Sequence, residues 1–561
     1  MAQFPQLASL EARRVFDKKY GSKNLYKIEF TPQDEMLSVT AAVNLRKLNA
    51  GATWVLDRIV AGTPLTAALQ RVFAPFNRHK KLLALAYYLL ISNNSALHLY
   101  PEFAAMTRLP WRRTLSSSAI SRLLAGITDN DIDKFLAYLN RFTQEATAND
   151  VGKVNTYLAL DSTSISTYAQ ALSQAAFGHN KDGEELKQIN ILMLVNQETG
   201  APIYYRSFNG ETPDVSTIAF LLKEHARLGI NDRAVLVMDR GYGAITNLNR
   251  LLLNQVSFIS NVKTSLTFCR ELIADNLAKL TADDAFIAEL NCSHVGLKVS
   301  WRYPTYDRTP TGRHVSEVTD LYVHLFLDHT LRHDAEAVFR KTYAAIKAKL
   351  SANTPLTPYE KNFVTKFLIR DTTSGEYSVN VTARFNYLLT KGVRILVSDC
   401  VSNAAEIWQA YYQRLRVENA FKVYKQYVGG KRFRVASDAA LRGKIFITFL
   451  ACAIGCMLRQ RIATSRRKGF SLPYDCDTKL LAALNRIQQV IIRDGGYFTE
   501  VVGKNKTILE ALDIPLPTTE RYDPNELAAH DERAKNEQDE VTTVDELMAG
   551  ILADSETELL E

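Results

Sequence analysis

The stretch Ala404-Ala-Glu-Ile-Trp-Gln-Ala-Tyr411-Tyr-Gln-Arg414-Leu-Arg-Val-Glu418-Asn-Ala-Phe-Lys422-Val-Tyr-Lys425 reads as one long amphipathic helix. Tyr411, Arg414, Glu418 and Lys425 stand at relative positions 0, 3, 7 and 14. At 100° per residue they fall within an arc of about 60°, and Lys422 joins the same stripe at about 20°. Val417, Ala420, Phe421 and Tyr424 fill the neighbouring arc and are expected to face a core. One carboxylate is therefore displayed among cations and a tyrosine along about 21 Å of helix. An ordinary solvated helix explains the pairs Arg414–Glu418 and Glu418–Lys422. It explains neither the excess of cations nor the central place of the carboxylate.

Outward from this helix, two aspartates follow short apolar runs. Val154–Leu160 ends at Asp161 and Ala234–Met238 ends at Asp239, each run predicted as a strand. Side chains at strand ends are rigidly held yet accessible, which is where the ligand sites of open sheets lie. Two carboxylates converging there repel each other unless a cation joins them, and hard divalent ions are bound in this way. An aspartate after a strand is a weak signal by itself, since it also serves as a cap or a turn residue.

With the helix in register, Tyr411-x2-Arg414-x3-Glu418-x6-Lys425 resembles the Y-R-E-K signature of bacterial insertion-sequence transposases of the DDE superfamily. Leu160-Asp161-Ser-Thr-Ser-Ile resembles their first aspartate segment, and Val237-Met-Asp239-Arg240-Gly-Tyr-Gly243 their second. Gly178-His-Asn-Lys-Asp-Gly-Glu-Glu-Leu-Lys-Gln188 is similar to a stretch before their second strand, with Gly-Glu-Glu in place of a His-Arg-Pro type of run. The resemblance covers roughly 150 to 430, and the spacing of 179 residues from Asp239 to Glu418 fits the strand-rich insertion such enzymes carry. It implies an α/β, RNase H-like mixed-sheet core in which Asp161, Asp239 and Glu418 are catalytic and hold two Mg²⁺ (or Mn²⁺) ions. It further implies that Tyr411, Arg414, Lys422, Lys425 and Arg240 contact DNA, that element ends and target DNA are the double-stranded partners, and that a homodimer forms the synaptic complex. The activity implied is strand cleavage followed by joining of the freed 3′-hydroxyl to target DNA.

The rest of the chain fits such an enzyme. Of 561 residues, 47% are hydrophobic and 23% charged, which excludes wholesale disorder. The longest apolar run, Ile445–Leu458, has fourteen residues, short of the roughly twenty needed to cross a bilayer. The N-terminus lacks a secretory stretch, and six cysteines without a C-x-x-C pair make no disulfide framework. A cytoplasmic, nucleoid-associated bacterial protein without membrane contact is expected. Residues Tyr411–Phe470 carry fourteen Lys/Arg against Glu418 and Asp438, a net of +12, which favours a polyanion partner. From Pro517 to Glu561 fourteen acidic residues face three basic ones, a net of −11, in a tail expected to be disordered.

The expected organisation runs from a helical N-terminal domain over 1–150, a candidate for DNA-end binding, to a first core part over 151–263. An insertion with its own small sheet follows over 264–390. The second core part, with the Glu418 helix, spans 391–470, then a helical segment 471–516 and the tail 517–561. Leu45–Val60, Leu65–Phe76 and Lys80–Ile91 have helical spacing, and two short helices near Ala119–Leu124 and Ile132–Phe142 are either a helix-turn-helix or part of a plain bundle.

Three weaker patterns fail on their own chemistry. Gly241-Tyr-Gly243 lacks the third glycine of a dinucleotide fingerprint. Asp129, Asp131 and Asp133 mimic an EF-hand start, but Lys134 stands where glycine is needed. His329 and His333, with His324 nearby, have no further ligand at zinc spacing. Two rivals share the core reading: a non-catalytic or domesticated DNA-binding derivative, and a nuclease on the same fold that cuts without joining.

Overall fold

Short buried apolar runs such as residues 191–195 and Ala234–Met238, too short for core helices, set central strands of this protein. The computed structural model describes residues 10–16, 26–32, 46–147, 156–225, 234–308, 312–372, 375–427, 432–474, 476–492 and 495–517. The acidic tail therefore lies outside the described residues, apart from its first residue.

By packing, the chain divides into two units. The smaller comprises 1–59, 98–117 and 461–561; the larger comprises 60–97 and 118–460. These units cut across the boundary expected near residue 150. The N-terminal region is also not purely helical. Strands β1 (Leu10–Phe16) and β2 (Tyr26–Pro32) pair antiparallel, and β3 (Arg46–Asn49) occupies the start of the segment expected to be helical from Leu45. The helix begins only at Gly51, where a Cβ would lie 2.2 Å from the Leu484 carbonyl oxygen.

The larger unit is built on a nine-stranded mixed sheet. Its strands in chain order are β4 (Thr156–Ser166), β5 (Gln188–Asn196), β6 (Pro202–Asn209), β7 (Ala234–Met238), β8 (Ser257–Val262), β9 (Phe286–Ile287), β10 (Cys292–Arg308) and β11 (His314–Leu327), to which β14 (Val393–Ser398) is added. Between these last two in sequence, β12 (Leu368–Arg370) and β13 (Tyr377–Val379) form a separate pair. The sheet order is β6-β5-β4-β7-β8-β14-β11-β10-β9. β5 runs antiparallel to both β6 and β4, whereas β4, β7 and β8 run parallel.

The strands expected near Val299–Tyr303 and Leu321–Leu327 exist as β10 and β11, but they do not form a small sheet of their own. β11 pairs with β14 over Tyr322–Leu327, so both extend the main sheet. Only β12 and β13 stand apart. They lie near a helical cluster in which Phe339, Ile346, Phe363 and Phe367 are buried.

The helix Ala404–Gln413 covers one face of the sheet. Ile407, Ala410 and Tyr411 are buried there with Val235, Val237, Ile259, Phe326 and Leu396. The helix Asp438–Arg467 is thirty residues long and apolar enough by length and composition to cross a membrane, but 89% of its apolar window is buried within the protein. Phe446 meets Phe73 and Phe135 at ring centroids 5.3 and 5.1 Å apart, so it acts as a core helix. In the smaller unit, β15 (Gln488–Ile492) pairs with both β16 (Gly495–Phe498) and β3.

Candidate active site

Strand register brings the two aspartates together. In β4 and β7, Leu160 lies beside Met238, and Met238 lies beside Ser260 of β8. The next position on each of the three strands is Asp161, Asp239 and Asn261. Asp239 directly ends β7, as expected. Asp161 does not end its strand: β4 continues to Ser166, and Asp161 pairs with Met193 of β5. The polar continuation stays strand-like because its hydroxyls are used. Ser164 Oγ accepts from the Lys181 amide at 2.9 Å, and Ser166 Oγ accepts from Asn180 Nδ2 at 2.9 Å. Immediately after Asp239 the chain turns through Arg240 and Gly241. At Gly243 a Cβ would lie 2.2 Å from the Asn261 carbonyl oxygen, so the turn requires glycine there.

The helix expected as one piece is two, Ala404–Gln413 and Leu415–Tyr427. At the junction, Arg414 N bonds to Tyr411 O and Val417 N to Arg414 O, so the ladder tightens to i→i−3 bonds. Val417, Ala420, Phe421 and Tyr424 are buried as the pattern required. The straight-helix stripe, however, is broken. Tyr411 is buried, and its hydroxyl donates to Asp239 Oδ1 at 3.0 Å while accepting from Asn261 Nδ2 at 2.8 Å. Arg414 reaches both other carboxylates, with Nη1 3.5 Å from Asp161 Oδ2 and Nη2 3.2 Å from Glu418 Oε1. Its guanidinium also lies 5.6 Å from the Tyr411 ring.

The remaining sequence candidates scatter. Lys422 and Arg240 are exposed. Lys425 is bound at 2.6 Å to Asp182, in the loop between β4 and β5. That loop is therefore tied to the site despite its departure from the family pattern. Lys181 contacts both Asp161 and Asp214, at 3.4 and 3.2 Å, and Glu184 pairs with Arg432 at 3.0 Å. Lys181, Asp182, Asp214 and Asn261 escaped the sequence reading. The signals existed, in the quoted Gly178–Gln188 stretch, in Pro213-Asp214 opening a helix, and in Asn261 near the end of a buried strand.

Burial raises the Asp161 carboxyl above its ordinary value, against the lowering effects of Lys181, the Ser162 amide and Arg414. Burial also raises the Tyr411 phenol, with the charge of Asp239 adding to it. For Arg414, burial disfavours the charged form, but Asp239, Tyr411, Asp161 and Glu418 outweigh it and hold the guanidinium charged.

Among the described residues no group of three or more His, Cys, Asp and Glu is drawn together as a preformed metal cage. The donor chemistry nevertheless fits a hard divalent ion. Among the described residues, Asp161, Asp214, Asp239 and Glu418 are met by the cations Lys181 and Arg414, a net of −2 among all-oxygen ligands. The weaker sequence patterns do not assemble. His324 is bonded to His294 and to the Val401 carbonyl, and His329 to Ser293, while Asp129 and Asp133 pair with Arg442 and Arg206.

The family model for the transposase DDE domain matches residues 153–454. The chain belongs to the DDE transposase family. The matched span contains all three acidic positions and the whole β4–β8 sheet, and runs into the Asp438–Arg467 helix. No curated protein matches the chain. Among solved structures, the piggyBac transposase synaptic complex with hairpin DNA is similar at 10% identity, with a TM-score of 0.36, covering 77% of this chain and 78% of that one.

Proposed function

We propose that this DDE transposase cuts DNA at the ends of a bacterial insertion sequence and joins the 3′-hydroxyl ends to target DNA, with Asp161, Asp239 and Glu418 as its catalytic residues. One observation carries the reading. Three carboxylates from distant parts of the chain converge on two neighbouring side chains, Arg414 and Tyr411, at the end of parallel strands. The strand arrangement β6-β5-β4-β7-β8, three antiparallel followed by two parallel, supports an RNase H-like core.

Asp161, Asp239 and Glu418 would hold two Mg²⁺ or Mn²⁺ ions, which when bound activate a water or 3′-hydroxyl and stabilise the leaving oxygen. The chain's own residues supply orientation and phosphate binding. Asn261 and Tyr411 fix the rotamer of Asp239. Arg414 Nε and Nη1 are buried without a hydrogen-bond acceptor, and a phosphate oxygen reaching the guanidinium would supply one. Lys422 and Arg240 are exposed and would meet more distant phosphates, and Lys425 would join them once released by Asp182. A homodimer acting on double-stranded element ends in the cytoplasm completes the proposal.

The test is cleavage and strand transfer on DNA carrying the inverted repeats that flank the coding region. Asp161→Asn, Asp239→Asn and Glu418→Gln should each lower cleavage by about 10³-fold or more, as loss of a metal-held transition state implies, while end binding persists. Near-normal cleavage by any variant removes that residue from the site. Cleavage without a joined product would make the protein a nuclease.

A further inference from the structure

The Lys181 ammonium lies within a ring of four oxygens. Its Nζ is 2.7 Å from the Ser162 carbonyl oxygen, 2.9 Å from Ser162 Oγ, 3.4 Å from Asp161 Oδ1 and 3.2 Å from Asp214 Oδ2. Four oxygens around one cation, two of them from carboxylates, make the ligand chemistry of a hard metal ion. Here a side chain of the protein fills that place. The ring is braced from outside: Ser162 Oγ donates to Asp214 Oδ1, and the Ser162 amide donates to Asp161 Oδ1 at 2.8 Å.

Both oxygens of Asp161 thus face cations of the same chain, Oδ1 toward Lys181 and Oδ2 toward Arg414. A metal ion arriving at Asp161 must displace one of them. Arg414 is the poorer candidate, because its side chain is 10% exposed and is also tied to Glu418. Lys181 is 32% exposed. Its backbone amide stays fixed to Ser164 Oγ, so the side chain can swing while the loop remains in place. It also has a second carboxylate, Asp214, on which its charge can rest.

From this arrangement we infer that Lys181 is a resident cation that holds Asp161 in position and competes with the divalent metal for it, and that Asp214 retains the ammonium when the metal takes Asp161. The inference rests on the reading of Asp161 as a metal ligand. Lys181 and Asp214 are then positioning residues: they preserve the carboxylate geometry before the metal arrives and set the affinity with which it binds. Without Lys181, Asp161 keeps only Arg414 and Asp214 loses its ammonium, and a divalent ion gains what the ammonium gave up.

The experiment uses the full chain without DNA, with Mn²⁺ titrated and free Mn²⁺ followed by its electron paramagnetic resonance signal. Lys181→Met should bind Mn²⁺ about tenfold more tightly than the unmodified protein or better, since a unit positive charge next to the ligand oxygens is removed. Lys181→Arg should stay near the unmodified affinity. A second measurement needs no variant of Lys181: acetylation with acetic anhydride, read by mass spectrometry, should rise at Lys181 when Mg²⁺ is added, and should not respond to Mg²⁺ in Asp161→Asn. This arm decides the matter alone if Lys181→Met does not fold. Metal binding that is lost in Asp161→Asn, yet neither tightened by Lys181→Met nor accompanied by a change in Lys181 acetylation, overturns the competition and leaves the metal site standing. Equal Mn²⁺ affinity in Asp161→Asn and the unmodified protein overturns the competition together with the metal assignment of Asp161.

Discussion

The two sides of the carboxylate site are held by different physics. On the β4 side, Asp161 is gripped by charge, with Lys181 at one oxygen and Arg414 at the other. On the β7 side, the contacts resolved at Asp239 Oδ1 are neutral: the Tyr411 hydroxyl donates to it, and Asn261 orients that hydroxyl. Charged grips are strong in a part-buried site but must be displaced before a metal can bind, and they are costly when one partner is lost. Neutral grips are weaker, and the charge of Asp239 is balanced at longer range, by the Arg414 guanidinium that it helps to hold charged. One aspartate is thus clamped by two cations, of which Lys181 can swing away, whereas the other is aimed by a fixed hydrogen-bond relay.

The contrast breaks most visibly at Arg414. Arg414→Ala leaves Asp161, Asp239 and Glu418 with one internal cation fewer and leaves Asp161 dependent on Lys181. Glu418 is 42% exposed and contributes little through solvent. The loss comes chiefly from the buried Asp161 contact, at about 3 kcal/mol, the lower end for breaking a buried pair. Urea unfolding at neutral pH checks this, and Arg414→Lys should recover part of the stability but little of the cleavage, because the fork is gone. A loss below the error of the measurement would mean that charge does not hold the β4 side.

Asp161 itself gives the next effect, with a definite sign. Its folded-state pKa is raised by burial above the ordinary 3.8. The folded protein therefore holds this proton more tightly than the unfolded chain does. The stability this provides is present below the ordinary value and is lost as pH rises through the raised one. Without metal, Asp161→Asn should accordingly melt above the unmodified protein at neutral pH, and the gap should close as the solution is acidified toward the ordinary value. Added Mg²⁺ should raise the melting temperature of the unmodified protein and not that of the variant. Thermal melting across pH, with and without Mg²⁺, measures both. A variant that melts lower at neutral pH would show that Lys181 and Arg414 outweigh burial.

The unequal legibility of the two sides follows from the same physics. Asp239 could be read because Ala234–Met238 is wholly apolar and buried, so its end is marked by a change of polarity. Asp161 reads as a strand end but is not one, since β4 continues through serines whose burial is allowed by partners 14 and 17 residues away. Local patterning carries no record of such partners. The buried arc of Val417, Ala420, Phe421 and Tyr424 was legible from spacing, whereas Asp161, Asp239 and Glu418 stand out as a set only through the resemblance to transposases. The break at Arg414 was not, because a single tightened turn leaves the apolar period almost unchanged. The membership of β10 and β11 in the main sheet was hidden for a third reason: their link to it is the pairing with β14, and strand pairing across about 70 residues has no signature within either strand.

The smallest effect belongs to the neutral side. Tyr411→Phe removes one hydroxyl from a buried ring, leaving the packing of Ile407, Ala410 and Tyr411 against the sheet otherwise intact. Asp239 Oδ1 loses a donor and Asn261 Nδ2 loses its acceptor, a cost of about 1–1.5 kcal/mol for one relay of neutral hydrogen bonds. That is less than half the expected cost at Arg414. Cleavage should fall more than stability does, because Asp239 becomes free to rotate while remaining present. Asn261→Ala should act through the same hydroxyl, so the two changes should combine to less than their sum, with a coupling of about 0.5–1 kcal/mol in a double-mutant cycle. Urea unfolding of the two single variants and the double variant gives that coupling directly. Strict additivity would show that Asn261 does not orient the Tyr411 hydroxyl, and a cost equal to that of Arg414→Ala would erase the distinction between the two sides.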